Sequence, residues 1–348
     1  MQALEKMAWP HPALLVREGL VAQRSGEAQA LFPELKEGSP LPGALLSPEG
    51  EAAWDGFAQL EGRCWRFTAR REGEDTRYVL APAEQNALTE GQLDSSLYQL
   101  RTLMTRFHRE IGPYITGQKD RVEPEDRAEF SRDYYRMLRL MDHLDLLRDA
   151  ADGQLKPPQR VFEVGSAVWR TAVECDGLLR EVGVGVDYQG LPGDLTARGD
   201  PALLRTALLE LISNSARRLK EGGRITLKLT KRGDRALVLV TDDGPAATPR
   251  QRTAMTTRGG LPRIPMGDMG AGLGLSVAEE IVRAHGGALL IGAGEGAPKV
   301  WISLPLSSPS GTGELPVRTP ERNGGMSPYL IGLADVLPGR VILEDWAE

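Results

Sequence analysis

Three groups of residues in the second half of the chain have types and spacings that can do chemistry. Glu210, Asn214 and Arg217 stand at i, i+4 and i+7 of the segment Pro201 to Leu219, so on a helix they share one stripe. Leu204, Leu208, Leu211 and Ile212 of the same segment supply its apolar side. An amide oxygen is a hard donor suited to Mg²⁺, so Asn214 can hold a metal that bridges phosphates. Glu210 can orient or deprotonate an attacking group, or stand behind the metal. Arg217 or Arg218 can offset phosphate charge. Asp242 ends the apolar run Ala236-Leu-Val-Leu-Val-Thr, two residues before Gly244. A buried carboxylate there can accept a hydrogen bond from the exocyclic amine of adenine. Gly270, Gly272 and Gly274, with Leu273 between the last two, allow a backbone turn too tight for side chains. Amides at the start of the following helix can then face phosphate oxygens.

Each group alone has a plainer explanation. The stripe reads as a solvated helix face, Asp-Asp-Gly as turn chemistry, and the glycines as a loop. The glycine spacing is not Gly-x-Gly-x-x-Gly, a loop precedes it, and no Gly-x-x-x-x-Gly-Lys occurs, which disfavours dinucleotide and P-loop sites. The order and the helix and strand contexts turn three weak signals into one nucleotide site.

Those contexts come from the surrounding pattern. Residues 160–306 read as helix (Phe162 to Leu179), strand (Val184 to Tyr188), helix (Pro201 to Leu219), two alternating strands (from Arg224 and Ala236), helix (Leu275 to His285) and two more strands (from Ala288 and Val300). This order places helices over one face of a mixed sheet. Gly286-Gly287 ends the last helix.

Upstream, Leu97, Leu100, Leu103, Met104, Phe107, Ile111, Tyr114 and Ile115 recur with helical period, and so do Tyr134, Met137, Leu138, Met141, Leu144 and Leu147. A polar loop from Gly117 to Glu125 makes the two an antiparallel hairpin. Such a hairpin buries one face poorly, and pairing two copies into a four-helix bundle solves this, so a homodimer is expected. Residues 12–82 read as short strands and one Ser25-capped helix. Residues 307–327 read as a linker. Tyr329-Leu-Ile-Gly-Leu and Arg340-Val-Ile-Leu-Glu-Asp-Trp read as two short strands.

The three motifs resemble the nucleotide boxes of the sensor histidine kinase family, within the ATPase superfamily that includes gyrase and MutL. Glu210, Asn214 and Arg217 match its helix, Asp242 and Gly244 its Asp-x-Gly-x-Gly with Ala246 at the last glycine, and Gly270 to Gly287 its second glycine box. The resemblance covers about residues 93–306, and 12–82 loosely resembles a PAS-type sensor. It implies an α/β multi-domain chain. A PAS-like α/β module spans 1–90, a helical-hairpin dimerisation domain 91–155, an α/β-sandwich ATP-binding domain 156–307, and a linker with a short tail 308–348. It implies ATP and Mg²⁺ as cofactors, Asn214 as the metal ligand, a response regulator receiver domain as partner, and residues 245–269 as a lid.

The family's phosphoacceptor box, His-Glu-Leu-Arg-Thr-Pro-Leu, fits in two registers. The preferred one keeps Leu100-Arg101-Thr102 but puts Tyr98 at the histidine and Gln99 at the glutamate. The other aligns His108 with the acceptor and Pro113 with the proline, and leaves the hairpin short. A phenol protonated near neutral pH, with pKa about 10, is a poor substitute for imidazole. His108 is therefore the best histidine acceptor if one is used. His143 is expected to be a solvated or bundle-edge residue rather than an acceptor, and His285 is expected to be structural.

A net charge of −6 and no dense basic run argue against a nucleic-acid surface. No apolar stretch reaches the roughly 18–20 residues that span a bilayer, and Cys64 and Cys175 form no metal-spaced pair. A cytoplasmic protein without membrane contact is expected.

Overall fold

In a computed structural model the described residues are 11–45, 48, 51–61, 63–83, 90–115, 123–158, 160–190, 195–246, 273–292, 296–307 and 326–344. The N-terminal unit contains β1 (Ala13–Arg17), β2 (Leu20–Arg24), α1 (Gly26–Leu31), β3 (Ala53–Leu60), β4 (Arg63–Glu72) and β5 (Asp75–Pro82). Ser25 caps α1 by accepting from the Ala28 amide, satisfying a donor the helix start leaves free. Two long helices follow, α2 (Glu90–Ile115) and α3 (Pro124–Ala151). The remaining unit runs β6 (Arg160–Glu163), α4 (Val164–Leu179), β7 (Gly185–Gln189), β8 (Thr196–Gly199), α5 (Pro201–Ala216), β9 (Arg224–Arg232), β10 (Arg235–Asp242), α6 (Gly274–Ala284), β11 (Ala288–Gly292) and β12 (Lys299–Pro305). Two short helices complete the described chain, α7 (Pro328–Leu333) and α8 (Gly339–Glu344).

One ten-stranded sheet runs β2-β1-β5-β4-β3-β11-β12-β10-β9-β7, and β6 pairs with β8 apart from it. The β7–β9 pair is parallel, and the other pairs are antiparallel. The join between the units is the ladder of β3 on β11, from Gly56 opposite Leu290 to Trp54 opposite Gly292. Ala288, Leu290 and Trp301 are buried in one core with Trp54, Phe67 and Tyr78 of the N-terminal unit. A second core gathers α3, α4, α5, α6 and both tail helices over the β7–β11 part of the sheet. The helix-over-mixed-sheet pattern expected for 160–306 is thus present, with β6 and β8 added.

Two expectations are corrected. The tail segments that read as strands are helices. Short apolar runs do not distinguish a strand from a buried helix, and here Pro328 at a helix start and the approach of Gly339 to α3 favour helix. Met141, expected on the buried stripe of α3, is 53% exposed, while Tyr135, Leu140 and Leu147 are buried. The buried face of α3 also carries Asp133, Arg139 and His143, so it is amphipathic in a different sense. Apolar and charged residues share that face, the charged ones meeting charged partners.

Candidate nucleotide site

Helix α5 starts where Asp200 accepts from the Ala202 amide, with Pro201 preorganised at the first position. The Asp200 amide donates to Nε2 of His285, whose Nδ1 donates to the Ile281 carbonyl. That histidine, at the end of α6, ties the start of α5 to α6. Its structural role follows from these bonds.

Along α5, Glu210 is buried and Asn214 is exposed. Together with Arg217, Leu273 and Gly274 they line one cleft facing α3. The stripe read from spacing therefore exists, and the start of α6 meets it. A Cβ on Gly274 would stand 2.2 Å from Glu210 Oε2, so only glycine lets α6 begin this close to the carboxylate.

Glu210 is not free in this arrangement. Arg139 Nη2 donates to its Oε2 at 2.7 Å and Arg139 Nε to its Oε1 at 3.2 Å. His143 Nε2 lies 2.8 Å from Oε1. Burial alone would raise the Glu210 carboxyl, but Arg139 and then His143 outweigh it and bring it down to about 2. Burial also opposes the charge on Arg139. Glu210 and Asp335 outweigh it and hold the guanidinium pKa above its ordinary value. A carboxylate so held is a weak proton acceptor. The expected solvated position of His143 is corrected: it is buried against the site.

Asp242 lies at the end of β10, 7% exposed, and it is not on the wall of that cleft. The Gly244 amide donates to its Oδ1 at 3.0 Å. Its buried Oδ2 accepts no hydrogen bond among the described residues, with Arg218 Nη1 3.6 Å away. Asp243, by contrast, accepts from the Arg224 amide and serves the turn. A buried carboxylate oxygen without a donor calls for one, and an adenine amine fits that need. Gly270 and Gly272, and all but the first two residues of the expected lid, lie outside the described residues.

On α2, Tyr98 is 64% exposed and His108 is exposed. Neither lines the cleft, but Gln99 does, and its Oε1 is buried without a hydrogen-bond partner among the described residues. Sequence reasoning did not single out Arg139, His143 or Asp335 as site residues. The available signal was the polar recurrence Asp133, Arg136, Arg139, His143 along α3.

A strand-ended aspartate, a helix carrying Glu-x-x-x-Asn, and a glycine-opened helix define an ATPase domain on a mixed sheet. Residues 199–308 match the family model described as histidine kinase-, DNA gyrase B-, and HSP90-like ATPase. The signal transduction histidine-protein kinase/phosphatase MprB of Mycolicibacterium vanbaalenii is 28% identical over 225 residues, 62% of this chain and 43% of that protein. The sensor histidine kinase ZraS of Salmonella typhi is 35% identical over 111 residues, 31% of this chain and 23% of that one. The solved Acinetobacter baumannii histidine kinase AdeS is 16% identical at a TM-score of 0.48, covering 61% of this chain and 98% of that one, a likeness too loose to carry weight. The chain spans less than half the length of these curated relatives. Residues 199–308 thus belong to the histidine kinase-, DNA gyrase B-, and HSP90-like ATPase family, and the chain is similar to sensor histidine kinases over the stretches given.

Proposed function

We propose that this chain binds ATP with Mg²⁺ and acts in two-component signal transduction with a response regulator receiver domain as partner. The observation that carries the reading is the meeting of Glu210, Asn214, Arg217 and Gly274 at one cleft, together with the buried Oδ2 of Asp242, which accepts no hydrogen bond among the described residues. Asp242 would select adenine, Asn214 would hold the metal, Arg217 would face phosphate, and the amides opening α6 would meet phosphate oxygens. Bound Mg²⁺–ATP would supply a phosphoryl group polarised by the metal.

The N-terminal unit is a PAS-like sensor in this reading, supported by five antiparallel strands carrying one short helix. The hairpin dimerises. Leu93, Leu97, Tyr98 and Met104 of α2 are exposed, and a second copy would bury them in a four-helix bundle. Cytoplasmic placement is supported by two buried cysteines, Cys64 and Cys175, that form no disulfide among the described residues. No helix among the described residues is long and apolar enough to cross a membrane.

A second reading, a pseudokinase that binds ATP and regulator without autophosphorylation, is favoured by Tyr98 and Gln99 standing at the acceptor box and by Glu210 held in its ion pair. Incubation with γ-labelled ATP and Mg²⁺ separates the two. Acid-labile, base-stable label lost in His108→Ala establishes the kinase and the His108 register. ATP binding without label establishes the pseudokinase. Failure of ATP to bind at all, or binding unaffected by Asp242→Asn, rejects both.

A further inference from the structure

The tail is where the structure departs furthest from the sequence reading. Leu330, Ile331, Leu333, Ala334, Leu337 and Ile342 are buried in the main core. Helix α7 lies on α5, where Gly332 stacks on Leu209 and the Tyr329 ring sits 5.5 Å from the Arg205 guanidinium. Helix α8 lies on α3, so close that a Cβ on Gly339 would stand 2.0 Å from the Ala128 carbonyl oxygen. Between the two helices, Asp335 accepts from Arg139 Nη1 at 2.7 Å and stands 3.3 Å from Arg136 Nε. One short segment thus grips the hairpin and the ATP-binding unit at once. It also places a carboxylate on the guanidinium that holds Glu210, on the wall of the cleft shared with Asn214 and Arg217.

We propose that residues 326–344 are an autoinhibitory clasp, which holds the ATP-binding unit shut against α3 with Glu210 sequestered. Three physical consequences follow. Apolar burial on α3 and α5 fixes the distance between the two units. Asp335 completes a carboxylate–guanidinium–carboxylate cluster, whose strength depends on geometry and is lost when one member leaves. The Asp335 charge also opposes entry of phosphate into the cleft. Release of the clasp uncovers α3, frees one side of Arg139 and removes that negative charge. The effect on nucleotide rests on the ATP reading above. The clasp itself does not.

The experiment uses the full chain and two variants. Gly339→Val drives α8 from Ala128 without touching the cleft. Asp335→Asn keeps the volume and removes the charge, and so serves if the first variant does not fold. Hydrogen exchange followed by mass spectrometry is expected to show tail and α3 amides losing protection together, while β9 and β10 keep theirs. A fluorescent ATP analogue is expected to bind about tenfold more tightly, an ordinary size for coupling between two states. The clasp is overturned if the tail loses protection and α3 does not, or if protection falls everywhere at once. Its inhibitory role is overturned if the analogue binds both variants no better than the parent chain. If the analogue binds no form of the protein, the ATP reading and the inhibitory role fail together, and the exchange pattern still decides whether the clasp exists.

Discussion

The ATP-binding unit is joined to the rest of the chain on two sides, and the joints are built from opposite materials. On one side β3 continues the sheet past β11 through backbone hydrogen bonds, over a core of Trp54, Leu290 and Trp301. On the other side α3 meets α5 through Arg139, His143 and Glu210, with Asp335 behind them. The sheet joint is apolar and shielded, so its strength changes little with geometry, pH or salt. The helix joint places full charges in a dry setting, where the cost of desolvation and the gain of pairing nearly cancel. A small displacement there changes the sign of the balance. On these physical grounds the sheet is suited to carry the unit, and the helix pair to release it.

The largest effect is expected where that balance is broken from one side. Arg139→Ala leaves Glu210 buried without its cation and should cost about 3–5 kcal/mol of stability. Arg139→Met combined with Glu210→Gln removes both charges and should recover most of that loss. Urea midpoints of parent, single and double variants measure this. A double variant no better than the single would show that the helix joint is held by packing, and the contrast between the joints would fail.

A pH titration makes the next distinction. The folded Glu210 carboxyl lies at about 2, below the 4.5 of an ordinary glutamate. A depressed carboxyl contributes stability that is present above its unfolded value and is lost as pH falls through the folded one. The contribution, on the order of 3 kcal/mol, should therefore hold above pH 4.5 and drain away toward pH 2. Exchange protection should fall first in α3 and α5 across that window, while β3 and β11 hold longer. Simultaneous loss at both joints would mean that Glu210 does not set the acid limit of the helix side.

The sequence made one of these joints half legible and hid the other. The spacing of Glu210, Asn214 and Arg217 announces a stripe because helix period is a local property. Its partners Arg139 and His143 lie on a different helix, and nothing local says that the polar side of α3 faces another charged surface rather than water. Periodicity alone puts Met141 in the core, whereas α3 packs on α2, α6 and the two tail helices and reaches α5 through Arg139 and His143, which leaves Met141 outward. The sheet joint failed for another reason. Ala53–Leu60 carries Asp55 and Gly56 inside its apolar run, which weakens the strand pattern. Gly56 is there because Phe67 and Leu290 crowd the position where a side chain would stand. The tail reads as strand because Tyr, Ile, Leu and Val dominate it, and helix is selected by Pro328 at a helix start together with packing against α3 and α5.

The smallest effect should come from an ion pair beside the sheet joint. Lys299 Nζ stands 2.6 Å from Glu51 Oε1, but the lysine side chain is 46% exposed. Water reaches the ammonium and screens the pair from that side, while the Glu51 side chain is only 7% exposed, so Lys299→Met should cost about 1–2 kcal/mol, still less than Arg139→Ala. Added salt should erase most of that difference between the variant and its parent. Equal losses from Lys299→Met and Arg139→Ala would mean that charge supports both joints alike, and the division between a fixed sheet and a switchable helix pair would no longer hold.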